Sequence, residues 1–317
     1  MPNNTTVAEW DLIPAVEVVV CPWVIVSNTV VLSVFIKNRR MHVPFNVYLF
    51  SLLIANICLA ILGNPLDIVN FIFPTWWLGQ IACDVYLYAL YVMSGLTVNS
   101  HALITINRLW AMTFPHFYKQ YHSSRSAAFL CGLVWIAVHA IILPGVILNA
   151  RVYRLPIETA GCVINTNAMP VWNTVVQFGV FIVPNIFVML AYPYILWMRR
   201  RRRLVRITNR HVSILQPSTT TAVSKSTKES RAFIVLTVMT ASVTVSWTPL
   251  NAYYGMGCFM DVSQLWLTFE ITQGLFILQP ALDPIFFAVT LPELRQGLAD
   301  FVQTAFRKWR MCKKVLI

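Results

Sequence analysis

Seven apolar stretches, separated by short polar breaks, run over about 14–36, 46–71, 81–107, 127–149, 172–198, 232–257 and 263–289. A hydrocarbon core about 30 Å thick takes roughly 20 residues of helix to cross. A backbone inside it must satisfy its own hydrogen bonds, so each stretch predicts a spanning helix. An odd number of crossings puts the two termini on opposite sides. The polarity pattern divides the chain into a tail (1–13), a helical domain (14–289) and an amphipathic helix with its tail (290–317). The expected fold is all-α: a seven-transmembrane helix bundle with a juxtamembrane amphipathic eighth helix. Asp11 and Glu17 stand in front of the first stretch and no basic segment leads it, so it reads as a retained helix rather than a cleaved leader. The longest polar stretch, Asn209 to Ser230, reads as a Ser/Thr-rich loop.

Composition supports a bilayer and removes other classes. The chain is 57% hydrophobic and only 11% charged, too little polar side chain to cover a water-soluble globule. The net charge of +12 would suit nucleic acid, but its distribution argues otherwise. Twenty-two of the 24 Lys and Arg residues fall on one side of the predicted spans, with Arg151 and Arg154 opposite. The positive-inside rule then predicts an extracellular N-terminus, a cytoplasmic C-terminus and multi-pass residence in the plasma membrane. The run RRRRRLVR is read as a solvated, topology-setting face beside the membrane lipids, and no nucleic-acid partner is expected. The opening NNTT offers glycosylation acceptors at Asn3 and Asn4 on the outer side.

The seven cysteines are placed one by one. Cys58, Cys131 and Cys21 lie within helices, where a free thiol is the default. Cys83 and Cys162 both face the oxidising side, and a bridge tying the loop after the fourth helix to the top of the third is expected, with Cys258 as a competitor for either partner. Cys312, in the basic tail, is a candidate for palmitoylation or a plain thiol. His101 and His139 lack Cys or carboxylate neighbours at ligand spacing, so neither a metal site nor an enzyme is indicated, and no cofactor is expected.

Arg108 follows Cys83 by 25 residues, a helical rise of roughly 37 Å. That places it at the cytoplasmic mouth of the bundle. There a snorkelling arginine is the simplest reading.

Along its whole length the chain resembles the rhodopsin-like G-protein-coupled receptors. SNTVV carries Asn28 in the first helix and NVYLFSLLIAN ends at Asn56 in the second. WWLGQIAC leads to the third-helix cysteine, and the family's arginine follows at the spacing found here. Trp135 fits the fourth helix, Pro184 and Tyr192 the fifth, SWTP (246–249) the sixth and DPIFF (283–287) the seventh, with LPELRQGLADF as the eighth. The resemblance implies a heterotrimeric G protein as partner and an extracellular ligand. It implies hinges at Pro249 and Pro284, Trp247 as a switch below the ligand, and a resting-state pairing of Arg108 with Glu229.

Departures from the family pattern are as informative. The acidic residue before the arginine is Asn107. The second helix has Asn56 where the family has aspartate, and the seventh has Asp283 where it has asparagine, a reciprocal exchange within one cluster. A sodium site lined by Asp283, Asn56 and Thr97, or a purely hydrogen-bonded cluster with Asn28, are the two readings open. Phe287 replaces a tyrosine. Asn251 after SWTPL is similar to the muscarinic acetylcholine receptors, and Tyr91, Ser94 and Gln273 join it at pocket-facing positions. The aspartate that holds the amine in that subgroup is Leu90, however, so Asp67 and Glu270 are the candidate replacements. An amine-like small molecule and a short peptide both stay open as ligands. Retinal as a Schiff base is excluded, because no lysine occurs between Lys228 and Lys308. A multi-span transporter or channel is the alternative class. It predicts matched helix breaks in two repeats or a charged pore, and the sequence has neither.

Overall fold

The computed structural model describes residues 10–73, 75–212 and 220–315, with backbone alone for 40, 199, 202–212, 220–236, 263, 305, 308 and 310–315. The glycosylation candidates Asn3 and Asn4 lie outside the described residues, as do the side chains of Glu229 and Cys312. Where the apolar stretches are, the chain forms seven long helices. The first five are Leu12–Lys37, Pro44–Ile72, Gly79–Thr113, Ser124–Tyr153 and Pro170–Met198, the last continuing to Val212. The sixth is Thr220–Gly257 and the seventh Trp266–Thr290. These pack as a seven-transmembrane bundle. An eighth helix, Pro292–Val315, follows the seventh directly.

Burial divides each helix as a lipid-embedded bundle requires. Inward faces form a core from Leu52, Leu53, Leu96 and Val243. Large apolar side chains such as Trp23, Phe129, Ile136 and Val171 point outward, where a bilayer supplies the apolar solvent. The eighth helix lays Leu294 into the core, and Lys37 Nζ sits 5.4 Å from the centre of the Phe301 ring. Two sequence expectations change. The stretch read as a polar loop is helical again from Thr220. Glu17 does not flank the first helix: it lies inside it and faces inward, 1% exposed.

Four helices contain a wide turn of the π type, at Leu59–Gly63, Ala89–Met93, Asn149–Tyr153 and Val176–Ile182. Such turns accommodate an extra residue and favour functional positions. On the outer side the Cys83–Cys162 disulfide, with Cα atoms 5.6 Å apart, ties the loop to the third helix as expected, and Cys258 stays a free thiol. Trp76 anchors the preceding loop, its Nε1 donating to Gly79 O at 2.8 Å. That position needs glycine, because its φ is +80°.

Close helix contact also depends on glycine at 145. A Cβ there would lie 1.9 Å from the Trp172 indole, whose Nε1 donates to Ile141 O at 3.1 Å. Gly145→Ala therefore displaces a rigid bicyclic ring and breaks that bond. A loss of about 1–3 kcal/mol, the range for overpacking a tight contact, is expected as a lower melting temperature of the purified protein.

Candidate functional site

Three polar sites occur at three depths of the bundle. The outermost is a cavity of about 350 Å³ between the second, third, fifth, sixth and seventh helices. The sequence candidates Asp67, Tyr91, Ser94, Trp247, Asn251 and Gln273 all line it, with Leu90 among them. Glu270 does not: it is half-buried outside the lining, one helical turn from Gln273, and so is no pocket carboxylate. Gln177, which the sequence reading missed, lines the wall and donates to Asn251 Oδ1 at 3.5 Å. Trp247 packs edge-on to Phe276 at 4.8 Å and stacks on Phe181 at 6.2 Å. Its Nε1 and the Ser94 hydroxyl are buried without a partner among the described residues, and buried donors of that kind are costly unless something supplies an acceptor.

Mid-bundle, Asp283 is fully buried. Asn56 Nδ2 donates to its Oδ2 at 3.0 Å, and Gln279 Nε2 donates to its Oδ1 at 2.8 Å. Asn28, Asn56 and Thr97 come together around it: Thr97 Oγ1 donates to Asn56 Oδ1 at 3.2 Å, and Asn28 Nδ2 to the carbonyl of Pro280 at 3.0 Å. Two further members were not anticipated. His101 Nε2 lies 3.5 Å from Asp283 Oδ2 and 2.8 Å from Gln279 Nε2. The groups turned toward the carboxylate are thus amide N–H and imidazole. The Asn56 and Asn28 side-chain oxygens already accept bonds from Thr97 and Asn56, which leaves Gln279 Oε1 as the cluster's one amide oxygen without a partner among the described residues, whereas a hard cation needs several free oxygen ligands. The residues fit a hydrogen-bonded cluster better than a sodium site.

The third site lies at the end of the bundle opposite the Cys83–Cys162 disulfide. Arg108 places its guanidinium carbon 3.3 Å from the centre of the Phe45 ring, a cation–π contact, and its Nε has no partner among the described residues. Asn107, at the position where the family has an acid, is buried in a clamp. Its Nδ2 donates to His122 Nε2 at 2.9 Å and to the Tyr48 hydroxyl at 3.3 Å, while Oδ1 accepts from the Tyr118 hydroxyl at 3.3 Å. Tyr118 and His122 stack at 4.2 Å. Both come from the short helix Pro115–Tyr121 and its cap, which folds under the bundle. The sequence reading missed Phe45, Tyr48, Tyr118 and His122. Tyr192 is half-buried in the fifth helix. Pro249 and Pro284 lie inside their helices as predicted.

The match to known proteins is broad. Residues 27–287 match the family model of the 7 transmembrane receptor (rhodopsin family). Among similar proteins, the 5-hydroxytryptamine receptor 1B of Canis lupus familiaris is 28% identical over 186 residues, 58% of this chain and 46% of that protein. The 5-hydroxytryptamine receptor 1D of Homo sapiens is 27% identical over 180 residues, 57% and 47% respectively. The chain thus spans about half the length of the relatives it matches.

Two predictions follow from the inner sites. The melting temperature of the purified protein is expected to stay level when sodium replaces potassium at constant ionic strength, because donors already surround Asp283; a saturable rise with sodium would restore the cation site. At the Asn107 clamp, burial and then the Arg108 charge hold the His122 imidazole below its usual value. Its neutral Nε2 accepts the Asn107 bond, so this stabilisation is complete above the unfolded-state value of about 6.5. It is lost as the pH falls through the lower folded-state value. Melting temperature should drop on acidification below about pH 6.5, and His122→Asn should flatten that dependence.

Proposed function

Because the chain belongs to the rhodopsin family of seven-transmembrane receptors, we propose that it converts the binding of an extracellular small molecule into activation of a heterotrimeric G protein. The observation that carries this reading is the cavity floored by Trp247, two residues before the helix-breaking Pro249. A proline removes one helix hydrogen bond and permits a hinge, so a ligand pressing on the indole acts at the pivot of the sixth helix. Outward movement of the cytoplasmic half of that helix opens the mouth where Arg108 sits. The volume suits a compact ligand, and relatives named as receptors for 5-hydroxytryptamine favour an amine over a short peptide. The N-terminus is extracellular and the basic cytoplasmic face lies against the inner leaflet.

In the resting state Arg108 is held by the Phe45 ring and, in this reading, by Glu229 at the base of the sixth helix. A neutral Asn107 clamps the short helix but adds no charge to hold the arginine. Only a few kcal/mol separate two such states, and removing one partner of a partly buried ion pair costs several, enough to shift the populations.

The test is G-protein activation in cells at matched surface density. Glu229→Ala is expected to raise ligand-independent signalling several-fold and Asn107→Asp to lower it. Arg108→Ala should abolish coupling while surface expression persists. Basal signalling in Glu229→Ala equal to the parent would reject the lock.

A further inference from the structure

The outer cavity contains one acidic corner. Asp67, on the second helix, lines it and is 4% exposed. The Tyr86 hydroxyl donates to its Oδ1. Behind it stands Glu17 of the first helix, 1% exposed and within hydrogen-bond reach of Asp67. Two carboxyl groups so close and so dry cannot both be ionised, so the pair holds at least one proton and carries at most one negative charge. The neighbours decide where each goes. Asp67 already accepts the Tyr86 hydroxyl, which favours its anion, whereas Glu17 Oε2 has no partner among the described residues. The proton therefore stays on Glu17, which donates it to Asp67, and Asp67 carries the charge.

Nothing on the cavity wall balances that charge. Among the described residues the lining contains no Lys, Arg or His. The third-helix position that could have supplied a different carboxylate is Leu90. An isolated buried charge is strongly disfavoured, and carboxylates within membrane helices mark functional sites by default. Ser94 Oγ and Trp247 Nε1, both buried and unpartnered, lie on the same cavity and ask for a polar group on the same ligand.

We propose that the Glu17–Asp67 pair is the counter-ion of the receptor's ligand and selects a single protonated amine, with Asp67 receiving the ammonium hydrogen bond and Glu17 acting as a positioning residue. This rests on the reading of the cavity as the ligand site. One ammonium charge neutralises the pair's one negative charge with no proton released. A neutral ligand leaves the corner charged, and a dication leaves a positive excess. The amine's aromatic body extends toward Trp247, where its polar substituents meet the unpartnered donors.

The test uses the full chain in lipid nanodiscs, with affinities read from thermal shift. The probes are 5-hydroxytryptamine, tryptamine and phenethylamine, and tryptophol serves as the uncharged counterpart of tryptamine. At least one amine should stabilise the parent, with tryptophol at least tenfold weaker than tryptamine. Asp67→Asn should cost tenfold or more for the amines and leave tryptophol unchanged. Glu17→Gln keeps a donor to Asp67 and should retain amine affinity within about threefold, whereas Glu17→Leu should not. The infrared carbonyl stretch of a protonated carboxyl should persist on amine binding and vanish in Glu17→Gln. Equal affinity for tryptamine and tryptophol, undiminished amine binding in Asp67→Asn, or no binding of any amine overturns the proposal. Nucleotide exchange on added G protein separates the two readings. Exchange without amine binding sinks only the cation site, and amine binding that never produces exchange sinks only the receptor reading.

Discussion

A bilayer offers no water to a buried carboxylate, and the bundle is organised around that constraint at Asp283. Its two oxygens draw donors from the second and seventh helices, the second-helix amide in turn bonds side chains of the first and third, and an imidazole of the third stands beside it. Four helices are thus joined by polar groups that have no other solvent, so separating them would leave several unsatisfied groups at once. That is a stronger positional constraint than packing of leucines against lipid, since lipid tails solvate leucine as well as another helix does.

The two ends of the molecule treat polarity differently from its middle. The mid-bundle cluster pairs nearly all of its side-chain groups internally. The outer cavity leaves an indole N–H and a hydroxyl without partners among the described residues, a local instability that an occupant of matching polarity would relieve. At the opposite mouth the arginine rests on an aromatic ring, a contact that holds it in place without the strength of a buried ion pair. Sites built to change state are drawn from such incompletely satisfied regions.

Much of this could be read from residue order, for identifiable reasons. Spanning helices announce themselves because twenty apolar residues in a row have few other uses. The Asn56 and Asp283 exchange was legible because the two departures compensate each other, which implies contact. Glu17 was misread because a charge near the end of an apolar run looks like a flank until the direction it faces is known. Glu270 and Gln273 differ by one helical turn, and only the angle of the helix decides which meets the cavity. The clamp of Tyr48, Asn107, Tyr118 and His122 depends on a short helix folding back under the bundle, which no local pattern encodes.

The wide turn at Leu59–Gly63 lies between Asn56 and Asp67, eleven positions apart. On a straight helix those residues would point almost the same way, since 3.6 residues complete a turn. One extra residue in the turn rotates everything beyond it by about 100°, carrying Asp67 away from the central cluster and toward Glu17 and Tyr86. Deleting a single residue from that turn would swing the whole outer third of the helix and hand the cavity a different set of side chains, with the inner two-thirds undisturbed. In such a scaffold the chemistry presented to the outside can change by insertion or loss as readily as by substitution.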